Sequence, residues 1–149
     1  SDRDWSSDVC SSRSDRSAVL DEYKLYKNVF SFEAYLMCVP IDLRMYLTRF
    51  RISSHSLRIQ TGRYEKNKFA RNERYYMYCG SRDIEDTYHF ICICPCCSTL
   101  RSRYIDKFYF LRPSVFKFNL LMGSTNKNIL INLAKYIKYS LDIRKYIQI

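Results

Sequence analysis

Four of the seven cysteines crowd into the six residues from Cys92 to Cys97. A disulfide scaffold spreads its cysteines so that each bridge closes a loop, and this distribution does not. The crowding points to a reducing, intracellular setting, nucleus or cytoplasm, in which thiols pack or hold a metal ion. With 149 residues, three Gly and three Pro, the chain has room for one ordinary domain and for few flexible linkers. That length excludes a full polymerase. No run approaches the roughly 18 apolar residues that span a bilayer, so no membrane partner is expected. The polar, acidic start does not read as a signal peptide.

The sharpest pattern is C-x9-H-x4-C, formed by Cys79, His89 and Cys94. Thiolate and imidazole suit zinc, which takes four such ligands in a tetrahedron. A conventional finger would place a Cys three residues before Cys79, where this chain has Tyr76. Cys92, Cys96 and Cys97 each lie a few residues from Cys94 and offer substitutes, with His55 a remoter alternative. The expected ligand set is Cys79, His89, Cys94 and Cys97. The competing reading makes the cysteines buried apolar side chains and His89 a core or capping residue. A redox role is weaker, because C-x-C and C-C do not match the C-x-x-C dithiol at a helix start.

Apolar spacing predicts a mainly α class, a small helical domain around a short cysteine/histidine β-hairpin. Helices are expected over 18–27, around 30–36, from Ile41 after Pro40 to about Phe50, from Ser98 to about Tyr109, from Pro113 to a stop at Gly123, and from Ser124 or Thr125 onward. In the Ile41 helix, Leu43, Tyr46, Leu47 and Phe50 share one face, with Arg44, Thr48 and Arg51 outward. The Ser98 helix carries Leu100, Tyr104, Ile105 and Phe108 as its stripe, and the next carries Val115, Phe116, Phe118 and Leu121. The last helix turns Leu130, Leu133, Ala134, Ile137 and Leu141 to the core. Tyr75–Cys79 and Tyr88–Cys92 are β-prone runs around a polar turn, the expected hairpin. Glu85 and Asp86 fall in that turn and read as solvated, pairing with Arg74 or Arg82. Lys135, Lys138, Arg144 and Lys145 read as an ordinary polar face.

The chain carries 25 basic against 15 acidic residues, a net charge of +10. The excess favours an anionic partner and says nothing about fold. It concentrates between Arg44 and Arg74, where Arg44, Arg49, Arg51, Arg58, Arg63, Lys66, Lys68, Arg71 and Arg74 face only Glu65 and Glu73. Arg presents a rigid donor fork that suits phosphate. The expected nucleic-acid-binding residues are Arg44, Arg49, Arg51, Arg58, Arg63, Arg71 and Arg74, with Arg101 extending the surface. The bland alternative is a solvated basic face. Neither His has a nucleophile partner, and the acid pairs Asp21–Glu22 and Glu85–Asp86 do not make a two-metal site. No catalytic residue is assigned.

Residues 1–16 differ from the rest. They hold three Arg and four Asp around a lone Trp5, with no helical or strand period. The run from Asp4 to Ser12, DWSSDVCSS, resembles the conceptual translation of a short-read sequencing adapter. The expected organisation is therefore an artefactual, disordered leader over 1–16 and a helical domain over 17–149, with a knuckle-like insert at 74–97.

The order LTRFRISSHSLRIQTGRY (Leu47–Tyr64), RNERYYMYC (Arg71–Cys79), IEDTYHF (Ile84–Phe90), Cys94–Pro95, Leu100–Arg101 and NLAKYI (Asn132–Ile137) resembles the C-terminal region of reverse transcriptases of non-LTR retrotransposons, over roughly Leu25 to Ile137. The resemblance implies a tail bearing a Cys-Cys-His-Cys zinc-knuckle-like element that helps hold RNA or DNA. Its second Cys falls on Cys79, its His on His89 and its last Cys on Cys94, while its first Cys falls on Tyr76. The polymerase domain would lie upstream, so the tail alone implies no activity, although the parent protein would be an RNA-directed DNA polymerase. Two alternatives stay open: a non-functional fragment of a decayed element copy, and a helical protein-interaction module with structural cysteines.

Overall fold

The computed structural model describes residues 23–27, 29, 31–61, 70–75 and 79–147; the side chains of Arg58 and Gln60 fall outside that description. The expected leader over 1–16, and Arg63 and Tyr76, also lie outside the described residues. The described part is mainly helical. After a helical turn at 23–26 come α1 (Tyr35–Cys38), α2 (Ile41–Arg51), α3 (Arg58–Thr61), α4 (Ser98–Tyr104), α5 (Lys107–Phe110), α6 (Val115–Met122) and α7 (Lys127–Ile147).

Helix starts follow local chemistry. Pro40 stands as the N-cap of α2, where its missing N–H costs nothing. Ser114 caps α6 by accepting from the Lys117 N–H at 3.2 Å, and Asn126 caps α7 through Oδ1, 3.0 Å from the Asn128 N–H. The helix expected over 98–109 is two. Asp106 is extended and its carboxylate accepts from the Phe108 N–H at 2.8 Å, which ends α4 at Tyr104 and starts α5. Gly123 is the C-cap of α6, where a Cβ would stand 2.8 Å from the Tyr26 carbonyl oxygen, so the close approach favours glycine.

The long helix α7 is the spine, with α1, α2 and α4 packed against it. It buries Leu130, Leu133, Ala134, Tyr136 and Ile137 completely, and leaves Leu141 half-buried. From α2 come Leu43, Leu47 and Phe50, and full burial of one such side chain contributes about 1.5–3 kcal/mol. Arg51 lies four residues beyond Leu47 and eight beyond Leu43, so the helical period places it on this inner face, and it is buried. The expectation that it faces outward is corrected. The expected stripes of α5 and α6 hold in part: Phe118 and Leu121 are buried, whereas Phe108, Val115 and Phe116 are exposed.

The hairpin is not formed as expected. Tyr75 and Ile84 make one isolated antiparallel bridge. The second leg is helical from Thr87 and widens into a π turn at His89–Ile93. Two local bonds override β propensity: Asp86 Oδ1 accepts from the His89 N–H at 2.8 Å, and its carbonyl accepts from the Phe90 N–H at 3.1 Å. Asp86 is thus a cap. Glu85 is buried and ion-paired with Arg144, also buried. These contacts correct the solvated-turn reading of Glu85 and Asp86 and the polar-face reading of Arg144.

Candidate metal centre

The π turn explains why the H-x4-C spacing works. Its defining bond runs from the Cys94 N–H to the His89 carbonyl at 2.8 Å, an i→i+5 closure that brings positions 89 and 94 to the same side of the turn. Cys79 arrives from the loop closed by the Tyr75–Ile84 bridge, and that loop reverses at Gly80, whose φ of +67° is a left-handed value suited to glycine. The ligand atoms of Cys79, His89 and Cys94 all lie within 4.8 Å of one another, and the three residues form a group able to hold a metal ion.

The Cys79–His89 separation fits a tetrahedral centre. Bonds of about 2.3 Å to sulfur and about 2.0 Å to nitrogen put the two ligand atoms about 3.5 Å apart. Cys79 Sγ and His89 Nε2 are 3.4 Å apart. Behind the ring, Asp83 Oδ2 lies 3.6 Å from His89 Nδ1. His89 and Cys94 are buried, and Cys79 is half-buried beside the Ser81 hydroxyl at 3.0 Å.

Cys97 does not join the group. Its thiol is buried; a hydrogen bond with Cys94, then burial, raises its pKa. Of the expected ligand set, Cys79, His89 and Cys94 are brought together, and the buried Cys97 stands outside that group. Cys92 is buried too, its thiol pushed up to about 11 by burial. Cys96 is exposed, hydrogen-bonds Cys94, and has its pKa raised by partial burial and by the charges of Cys94 and Cys79.

Two of the expected phosphate contacts are internal. Arg101 is buried and donates Nε to the Ile91 carbonyl and Nη2 to the Cys94 carbonyl, both at 2.7 Å. Arg51 donates to the Met122 carbonyl at 2.9 Å, pairs with Glu33 at 3.3 Å, and lies over the rings of Tyr23, Tyr26 and Tyr35. Neither guanidinium faces solvent, so both are corrected from surface to scaffold. Arg44 and Arg74 are half-buried, bonded to the carbonyls of Val39 at 2.7 Å and Ile59 at 2.9 Å. Arg49 and Arg71 are exposed. The side chains of Arg58 and Arg63 lie outside the described residues.

Sequence reasoning missed Asp83, Asp86 and Tyr136. Tyr136 is fully buried and donates to the Phe90 carbonyl at 2.6 Å, bracing the π turn from α7. Only Asp86 carried a readable signal, an acidic residue three positions before His89 at the head of a helical turn. Among the described residues no helix is long and apolar enough to cross a membrane. Comparison with protein-family models, with curated proteins and with solved structures gives no match.

Proposed function

We propose that the chain is a nucleic-acid-binding module, the C-terminal region of a non-LTR retrotransposon reverse transcriptase, organised around a zinc ion held by Cys79, His89 and Cys94. The observation that carries this reading is the convergence of those three ligand atoms from two separate segments, at the Cys, His and Cys positions that the sequence resemblance singles out. Two thiolates and an imidazole form a soft-to-borderline donor set that favours zinc over magnesium or calcium, which prefer oxygen. The ion would tie the 79–84 loop to the π turn.

Contact with RNA or DNA falls to the exposed cations. Among the described side chains of the basic segment, Arg49 and Arg71 are exposed, as are Arg103 in α4, Lys107 at the start of α5 and Arg112 just after its end. The net charge of +10 supports a polyanionic partner. The reading assigns no catalytic residue; an upstream polymerase domain would be the second partner. The test is binding of the zinc-loaded chain to labelled RNA and DNA across a several-fold range of salt. Affinity should fall log-linearly with salt, and Arg49→Glu with Arg71→Glu should flatten the slope by about two phosphate contacts. Affinity indifferent to salt, or a double variant that binds as the parent does, overturns the proposed surface.

A further inference from the structure

We infer that the cleft between the α4–α5 corner and α7 seats one unstacked nucleotide of a single strand. The inference rests on the reading of the chain as a nucleic-acid-binding module and adds a site and a strand type to it. It does not use the metal centre. The cleft has a local cause. α4 ends at Tyr104, and Ile105 and Asp106 are extended before α5 begins at Lys107. That corner turns the chain off the axis of α4 and leaves a space of about 480 Å³ against α7. Clefts of about 300–1,000 Å³ hold small-molecule ligands, so the volume matches one nucleotide and excludes a stretch of duplex.

The lining carries each kind of group a nucleotide needs. Arg103 and Lys107 are exposed at the cleft, and neither is ion-paired among the described residues. The acid beside them, Asp106, already spends Oδ1 on the Phe108 N–H at 2.8 Å. The two cations outweigh it, so phosphate is favoured. Tyr104 and Tyr109 add aromatic walls. Tyr104 is held in place: its ring lies on Tyr139, with centroids 5.7 Å apart and planes at 28°, and the Arg103 guanidinium stands 5.5 Å from its centroid. Bases stack on tyrosine rings and on guanidinium planes alike. Asn128 and Asn132 line the α7 wall one helical turn apart, so they share a face. Each carboxamide offers both a donor and an acceptor, the pair that a base edge meets. Beneath them Ile105, Leu121 and Leu133 make an apolar floor. Bases in a duplex are stacked and paired, and only an unstacked base has its face and edge free for such a cleft. The cleft beside Tyr26 also holds two cations, but Lys27 and Arg51 there both pair with Glu33.

The experiment uses the full chain, purified with zinc, and probes it with a short single-stranded RNA, the same sequence as a duplex, and a free mononucleotide. In the parent, the single strand should shift the side-chain amide resonances of Asn128 and Asn132, a readout that needs no variant. Asn128→Leu with Asn132→Leu changes no charge and places good helix formers on α7, so the circular dichroism of the parent should be kept. Loss of two base-edge hydrogen bonds weakens binding about tenfold. The double variant should therefore bind the single strand about tenfold more weakly, with the salt slope unchanged, and bind the duplex as the parent does. The mononucleotide should displace the strand only at far higher concentration; equal affinity overturns the strand and assigns the cleft to a free nucleotide. Amide resonances that stay in place, or a double variant that binds the single strand as the parent does, overturn the cleft while leaving salt-dependent binding through Arg49 and Arg71 intact. If the parent binds neither form of RNA, the nucleic-acid reading fails and this inference with it, a result distinct from strands that bind elsewhere on the chain.

Discussion

Arg101 separates the scaffold reading of the buried arginines from the surface reading. Its guanidinium donates to the carbonyls of Ile91 and Cys94, both at 2.7 Å, and its Nη2 also lies 3.4 Å from the Tyr136 hydroxyl. Arg101→Met keeps much of the apolar stem and removes the donors. A hydrogen bond from a charged donor contributes about 1.5–3 kcal/mol net, and an abandoned buried carbonyl carries its own desolvation penalty. Two such bonds give a loss of about 3–6 kcal/mol. For a domain of this size, 1 kcal/mol moves the midpoint of thermal unfolding by about 2–4 °C, so Tm should fall by roughly 6–24 °C. Circular dichroism melting of the zinc-loaded chain measures it. Zinc affinity should drop with it, because the lost bond positions the backbone of a ligand. If the variant melts within about 2 °C of the parent while the salt dependence of nucleic-acid binding flattens by about one contact, Arg101 is a phosphate contact and the scaffold argument is wrong.

Arg51→Met should also lower stability, by about 2–4 kcal/mol in urea unfolding, since it strips the buried Met122 carbonyl of its donor and leaves Glu33 with Lys27 alone; an unchanged urea midpoint with weakened nucleic-acid binding would contradict its burial. The His55 imidazole is held down to about 4 by burial and then by the charge of Arg144, against an ordinary value of 6.5. Its folded pKa is depressed, so the unfolded chain binds the extra proton between these values. Its contribution, up to about 3 kcal/mol, is complete above pH 6.5 and lost as pH falls towards 4. His55→Gln should remove that part of the pH dependence, and parallel stability–pH curves for parent and variant in chelator would refute it. Chelation should lower Tm by several degrees while most helix signal survives at 25 °C; complete unfolding on chelation would show that the core does not stand alone.

Helices were legible where the signal was local. Pro40, Ser98 and Gly123 mark boundaries that the structure keeps. The 98–109 segment was misread because its apolar stripe runs through Asp106, whose capping bond interrupts the helix without breaking the pattern. The 88–92 run was misread because aromatic and β-branched composition favours a strand, while one carboxylate bond at Asp86 sets a helical turn. Of the candidate site, the Cys79–His89–Cys94 spacing was legible because it depends on residue type and short separations. The fates of Arg51, Arg101 and Arg144 were not. Their partners are carbonyls or acids remote in sequence, Met122 for Arg51 and Glu85 for Arg144, and composition cannot tell an arginine seeking phosphate from one seeking a carbonyl.

The buried arginines and the candidate metal site share a cause. The segment 85–97 is irregular yet packed inside: a π turn meets a 3-10 turn at Cys94, and the helical ladder cannot continue across that junction. Carbonyls there need donors from elsewhere, since a buried acceptor without one is costly. Tyr136 serves Phe90, and the Arg101 fork serves Ile91 and Cys94. These donors come from α7 and α4, so the core side of the loop is braced by bonds that involve no metal. The candidate ligand atoms of Cys79, His89 and Cys94 gather where Cys79 meets the π turn. A metal bound there would fasten that loop onto a shape already set by the helices. The sequence offers the candidate ligands and hides the brace for one reason: candidate ligands are named by their chemistry, whereas the brace exists only after α4 and α7 have packed.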